Sequence, residues 1–194
     1  MRLSVQNAVA AALSAAAVLV AAGAALGQSN GEADAALTAA RYTDGGDLEF
    51  PANTDEWIVL GTGIGGGYEE GVLDPANPGP ITVAQIEPSA YRYLLEHGRY
   101  ADGTMLLLTF YRTQEKPEPA LRGFVQGDVA LREIHVIDRE RYPEEGRAFF
   151  QYPPGTAVSE KLPLGSECVA CHAEHGAFDG TFTQFYPPVR RFAD

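Results

Sequence analysis

Apolar and polar residues alternate along the middle of the chain with the period of a strand. Ile81-Thr82-Val83-Ala84-Gln85-Ile86 alternates with a period of two, and Glu56-Trp57-Ile58-Val59-Leu60-Gly61 is a short apolar run of strand length. Residues 104–111, Thr-Met-Leu-Leu-Leu-Thr-Phe-Tyr, are apolar at successive positions, as in a strand covered on both faces. Gly123-Phe124-Val125, residues 130–137 and residues 147–152 supply further strand candidates. One segment changes period. Pro88 stands at a helix start and Gly98 just past its end, while Tyr91, Leu94 and Leu95 at i, i+3 and i+4 form an apolar stripe. Asp102-Gly103 then turns the chain into the longest apolar strand. These elements predict an α+β fold: a predominantly antiparallel β-sheet with a few helices, followed by a C-terminal helical segment.

The N-terminus has a different pattern. After Met1-Arg2, residues 8–26 are apolar and dominated by alanine, ending in the small-x-small run Ala25-Leu26-Gly27. That is the pattern of a secretory signal with its cleavage site, and it predicts export to an oxidising space such as the bacterial periplasm. A transmembrane anchor of this length is the alternative. Alanine in place of leucine, together with Ser14 and Gly23, favours the signal, which leaves no stable membrane insertion after cleavage. Residues 28–47, rich in Gly, Ala, Ser, Asn and Asp, read as a flexible leader, and residues 48–194 as one domain.

Charge narrows the partners. The 194 residues carry 14 Lys and Arg against 26 Asp and Glu, a net charge of −12. Removing Arg2 with the first 27 residues leaves 13 against 26, a net of −13. Nucleic acid and anionic lipid are therefore poor partners, whereas a basic redox protein is compatible with the charge.

Two motifs carry candidate chemistry. Gly61-Thr62-Gly63-Ile64-Gly65-Gly66 matches the dinucleotide-binding pattern of glycines. That reading needs a helix to begin there, and Gly67-Tyr68-Glu69-Glu70-Gly71 with a Pro-rich turn follows instead, so the run reads as a glycine loop between strands. The second motif is Cys168-Val169-Ala170-Cys171-His172. Its spacing suits covalent attachment of one haem c: two thiols a helical turn apart form thioethers with the haem vinyl groups, and His172 reaches the iron as axial metal ligand. A redox dithiol, or half of a zinc site completed by His175, are the competing readings. Phe149, Phe150, Phe182, Phe185 and Tyr186 offer flat apolar surface for the macrocycle.

The order of motifs resembles the cytochrome P460 family, which includes the cytochromes c′-β. The likeness rests on Glu56-Trp57-Ile58-Val59-Leu60-Gly61-Thr62, Ile86-Glu87-Pro88-Ser89-Ala90-Tyr91, Ala101-Asp102-Gly103-Thr104, the Cys168 to His172 motif, and the tail Asp179-Gly180-Thr181-Phe182-Thr183-Gln184-Phe185-Tyr186-Pro187. It implies a β-rich, homodimeric, mono-haem protein with five-coordinate iron. P460 members oxidise hydroxylamine, whereas c′-β members bind nitric oxide or similar gases. Hydroxylamine-oxidising members bear a lysine joined to the haem on the strand after the Asp-Gly-Thr turn. Aligned from Asp102, that position is Leu108, and the chain's only lysines, Lys116 and Lys161, lie elsewhere. The resemblance therefore favours the gas-binding branch. It also places Glu133 where catalytic members carry a distal acid, able to accept a proton from an N–H or O–H ligand.

Period two then sorts the distal side chains. If Leu108 faces the haem, Leu106 and Phe110 share its side, while Met105 and Leu107 point away. His97 and His135 are the candidate sixth ligands, His97 at a helix C-terminus and His135 on a strand face with Glu133. The expected function is binding, with possible redox conversion, of nitric oxide or hydroxylamine at an open iron site. The alternative is an electron-transfer cytochrome with six-coordinate iron.

Overall fold

The alternating stretches pair into one antiparallel sheet of five strands. A computed structural model describes residues 37–65, 74–117 and 122–193; the expected signal peptide and the first part of the leader lie outside them. In chain order the elements are β1 (Leu48–Glu49), β2 (Ile58–Ile64), β3 (Ile81–Ile86), α1 (Pro88–His97), β4 (Thr104–Glu115), β5 (Phe124–Ile137), β6 (Arg147–Tyr152), β7 (Val158–Ser159) and α2 (Glu167–His175). The large sheet runs β2-β3-β4-β5-β6, each pair antiparallel, and β1 pairs with β7 in a small second sheet. Each strand of the large sheet thus neighbours the next in sequence, which accounts for the meander.

The structure differs from the sequence expectation in three places. The glycine run is not a loop from Gly61 onward: β2 continues through Gly61, Thr62, Gly63 and Ile64. Glycine is needed at position 61 because a Cβ there would stand 2.7 Å from Cδ1 of Tyr186. Gly123-Phe124-Val125 and residues 130–137 are not two strands, since β5 is continuous over 14 residues and absorbs its irregularity as register shifts against β4 near Tyr111. Residues in the second half of the expected leader also contact the domain. Tyr42 bridges to Leu48, Leu37 packs on the core, and the Thr38 hydroxyl donates to Glu87 Oε1 at 2.8 Å.

The large sheet buries both faces. On one, Met105, Leu107, Ile134, Val136, Ala148, Phe150 and Tyr152 gather with Trp57 and Leu48. On the other, Leu60, Ala84, Ile86 and Ile137 meet Ala90 and Leu94 of α1, with Tyr100 and Val189. Each of the Leu, Ile, Val, Met and Phe side chains among them contributes roughly 1.5–3 kcal/mol through area removed from water. Helix α1 starts at Pro88 and is closed by Gly98 as the sequence predicts, and Glu87 adds a side-chain cap. The Glu87 carboxylate accepts from the Ala90 N–H at 2.8 Å and from the Ser89 hydroxyl, and Gly98 closes the helix at φ 66° with its N–H on the Leu94 carbonyl. Among the described residues, no helix is long and apolar enough to cross a membrane.

Candidate haem site

The second sheet face does more than hold α1. Cross-strand register sets two rows of side chains side by side on it: Ala84, Leu108, Glu133 and Gln151 in one, Ile86, Leu106, His135 and Phe149 in the next. Directly opposed residues in an antiparallel pair point to the same face, and along a strand the rows repeat every ~7 Å. Phe110 continues the face beyond Leu108. Met105 and Leu107 lie in the opposite core, as the period-two reading requires.

A cavity of about 520 Å³ opens over these rows, roofed by α2 and the tail after it. Leu106, Leu108, Phe110, Glu133 and His135 line it from the sheet, and Cys168, Cys171, His172, Phe182 and Tyr186 from the far wall. Its size falls in the ~300–1,000 Å³ range of cofactor pockets. Ser166 precedes α2 in extended conformation, and the helix carries the two cysteines one turn apart with His172 beside the second. Of the aromatic residues singled out in the sequence, Phe149 and Phe182 have their rings 4.6 Å from that of His172. Phe182 stacks in turn on Phe185, which is largely exposed. The Phe150 side chain instead joins the core on the opposite face.

His172 is oriented by a single backbone atom. Its Nδ1 lies 2.7 Å from the Gly180 carbonyl. A carbonyl can only accept, so Nδ1 carries the proton and Nε2 keeps its lone pair. Burial pushes the His172 imidazole below its ordinary range against the pull of that carbonyl, which favours the neutral ligating form. Gly180 reaches this position at φ 68°, following Asp179 at φ 48°, and a Cβ on it would meet the Arg147 guanidinium. Arg139 fastens the loop, pairing with Asp179 at 2.9 Å and with Asp102 of the Asp-Gly turn at 3.0 Å.

Glu133 is half-buried in the cavity wall, and its Oε1 accepts from Gln151 Nε2 at 2.8 Å. The same amide nitrogen lies 3.7 Å from Cys168 Sγ. Burial pushes the Glu133 carboxyl above the ordinary carboxylate range, and the Gln151 hydrogen bond offsets part of that rise. His135 is buried, stacks on Phe149 and meets the His172 ring edge-on at 5.5 Å, with its Nε2 unpartnered. Burial holds it well below the usual imidazole range, so it is neutral. His97 is away from the cavity, exposed and stacked on Tyr93. Lys116 bonds its backbone to Gly123, and Lys161 lies over the Tyr142 ring; neither lines the cavity. Among the described residues, no three His, Cys, Asp or Glu side chains are grouped as they would be around a metal ion.

The profile of the family described as Cytochrome P460 matches residues 69–183, more than half of the chain. This protein belongs to the cytochrome P460 family. A search of curated proteins finds no match to it. As a cytochrome P460 member it is a c-type haem cytochrome, and the residues present fit that group. Two thiols on one helical turn would hold the haem covalently, and His172 offers an unprotonated Nε2 fixed by its other ring nitrogen. The orphaned Nε2 of His135 shows that the cavity wall holds polar capacity that the protein alone does not satisfy. The cytochrome P460 profile takes in Leu108, Glu133 and the Cys168 to His172 motif, but stops before Phe185 and Tyr186. Gln151 was not singled out from the sequence, because only its register opposite Glu133 gives it a place in the site.

Proposed function

We propose that this cytochrome P460 protein is an exported mono-haem c cytochrome whose distal iron site stays open to small nitrogen species, nitric oxide or hydroxylamine. The observation that carries this reading is the composition of the sheet-side wall: Leu106, Leu108 and Phe110 with one carboxylate, Glu133, and no lysine. Bound there, haem supplies an iron that takes a diatomic or hydroxylamine ligand and can change oxidation state. His172 holds the other side. The apolar trio excludes water and so favours a neutral ligand over a charged one. Glu133, whose carboxylate burial makes a stronger base, would accept a proton from an N–H or O–H ligand. Leu108 at the family's lysine position favours gas binding over hydroxylamine oxidation. A redox partner protein and a homodimeric state belong to the same reading, as does a periplasmic location. Titration of the ferrous protein with nitric oxide tests it: a shift of the Soret band at one ligand per haem supports the reading, and an unchanged spectrum sinks it.

A second reading has one observation in its favour. His135 presents an unpartnered, buried Nε2 in the same cavity, edge-on to His172. A sixth ligand from His135 would make the protein an electron carrier indifferent to gases. Replacing His135 by alanine separates the two, since only in the six-coordinate case does that change open the iron.

A further inference from the structure

We propose that Gln151 is a positioning residue, holding the Glu133 carboxylate toward the ligand space and tying it to the helix that carries the haem. The inference rests on the reading of Glu133 as the group facing the ligand. β6 sets Gln151 directly opposite Glu133, so both side chains rise from the same sheet face. The Gln151 main chain is itself anchored, its N–H donating to the Ser159 hydroxyl at 3.1 Å. Its side-chain nitrogen lies within reach of two acceptors, Glu133 Oε1 at 2.8 Å and Cys168 Sγ at 3.7 Å. Those acceptors sit on opposite walls of the cavity, one on β5 and the other on α2.

An amide suits this task better than other side chains. It bears two N–H donors, does not titrate, and cannot compete with the carboxylate for a proton. With Oε1 engaged by Gln151, the orientation of Oε2 is set, and Oε2 is the oxygen left for a hydrogen-bonding ligand. Leu108 from β4, His135 from β5 and His172 from α2 complete the lining near it. Of the side chains near Glu133, only the Gln151 amide has a hydrogen bond to its carboxylate among the described residues. Removing the amide would free the carboxylate to rotate and would cut its link to α2.

The test uses the full haem-loaded protein and compares two ligands. Hydroxylamine donates hydrogen bonds and carbon monoxide does not, so only the first depends on a correctly aimed carboxylate. Dissociation constants for both are measured by optical titration in wild type, Q151L, E133Q and the double variant. Q151L should weaken hydroxylamine by roughly fivefold to tenfold while leaving carbon monoxide within about twofold. E133Q should weaken hydroxylamine at least as much, and the double variant no further than E133Q alone, because Gln151 acts through Glu133. Should Q151L fail to take up haem, Q151M keeps the length and volume without the donors and makes the same comparison. Equal loss of both ligands in the glutamine variant, or additive losses in the double variant, would overturn the positioning role alone. An E133Q protein with an unchanged hydroxylamine-to-carbon-monoxide ratio would overturn the reading of Glu133 and the positioning role with it.

Discussion

His172 depends on one carbonyl, and that carbonyl depends on one glycine. Gly180 sits at φ 68°, so G180A forces a Cβ into the left-handed region and displaces the Arg147 guanidinium beside it. A loss of about 1–3 kcal/mol is expected, read as a lower midpoint in urea. The variant should also weaken the axial bond, because the acceptor that fixes the His172 tautomer would shift; the iron–histidine stretch in a Raman spectrum reads this. Covalent attachment is a separate linkage. H172A should keep its haem through acid-acetone extraction yet change the spin state of the iron, whereas replacing Cys168 and Cys171 together by alanine should release the haem. The Cys-x-x-Cys-His motif was legible because its chemistry is written in adjacent residues. The Gly180 carbonyl and Gln151 were not legible, since one is a backbone atom in a turn and the other is an ordinary polar strand residue. Only folding brings them to the site.

At the scale of elements, α1 illustrates how a buried carboxylate can stabilise a helix start. Burial works against the Glu87 charge, but hydrogen bonds from Ser89, the Ala90 N–H and Thr38 outweigh it and hold the carboxyl below its ordinary value of 4.5. A depressed folded pKa contributes stability above the unfolded value, lost as pH falls through the folded one. E87Q should therefore destabilise by about 1 kcal/mol at neutral pH, and the difference from wild type should shrink in acid well below 4.5. Thermal melts of the two proteins across pH check this. Among the strands, β4 carries Leu108, which the proposed reading sets at the family's lysine position. Proteolysis should then leave haem only on the peptide containing Cys168 to His172, and mass spectrometry should find no second haem-linked peptide. Strands β3 and β6 and helix α1 were readable because their periodicity, caps and turn residues agree. Strand β2 was misread beyond Leu60, since glycine lowers strand propensity locally. The compensation comes from Tyr186, which packs on Gly61 from the far end of the chain. Local sequence holds no trace of that contact.

For the molecule as a whole, the sheet divides the labour between its faces. One face is a closed apolar core, and the other gives part of its area to α1 and the rest to a cavity large enough for a cofactor. The fold class followed from patterning, because strands that alternate in polarity and pair in sequence order leave few topologies open. The cavity did not, because it is made by register between strands and by the return of the tail over the sheet. On the proposed reading, a haem held by Cys168, Cys171 and His172 keeps an open face toward Leu106, Leu108 and Phe110. The optical spectrum of the ferrous protein before and after carbon monoxide tests it most directly. A high-spin, five-coordinate spectrum with ordinary c-type band positions that shifts on adding carbon monoxide is expected. A sharp low-spin spectrum that ignores carbon monoxide would contradict it and give the sixth position to the protein, with His135 the residue in place to take it.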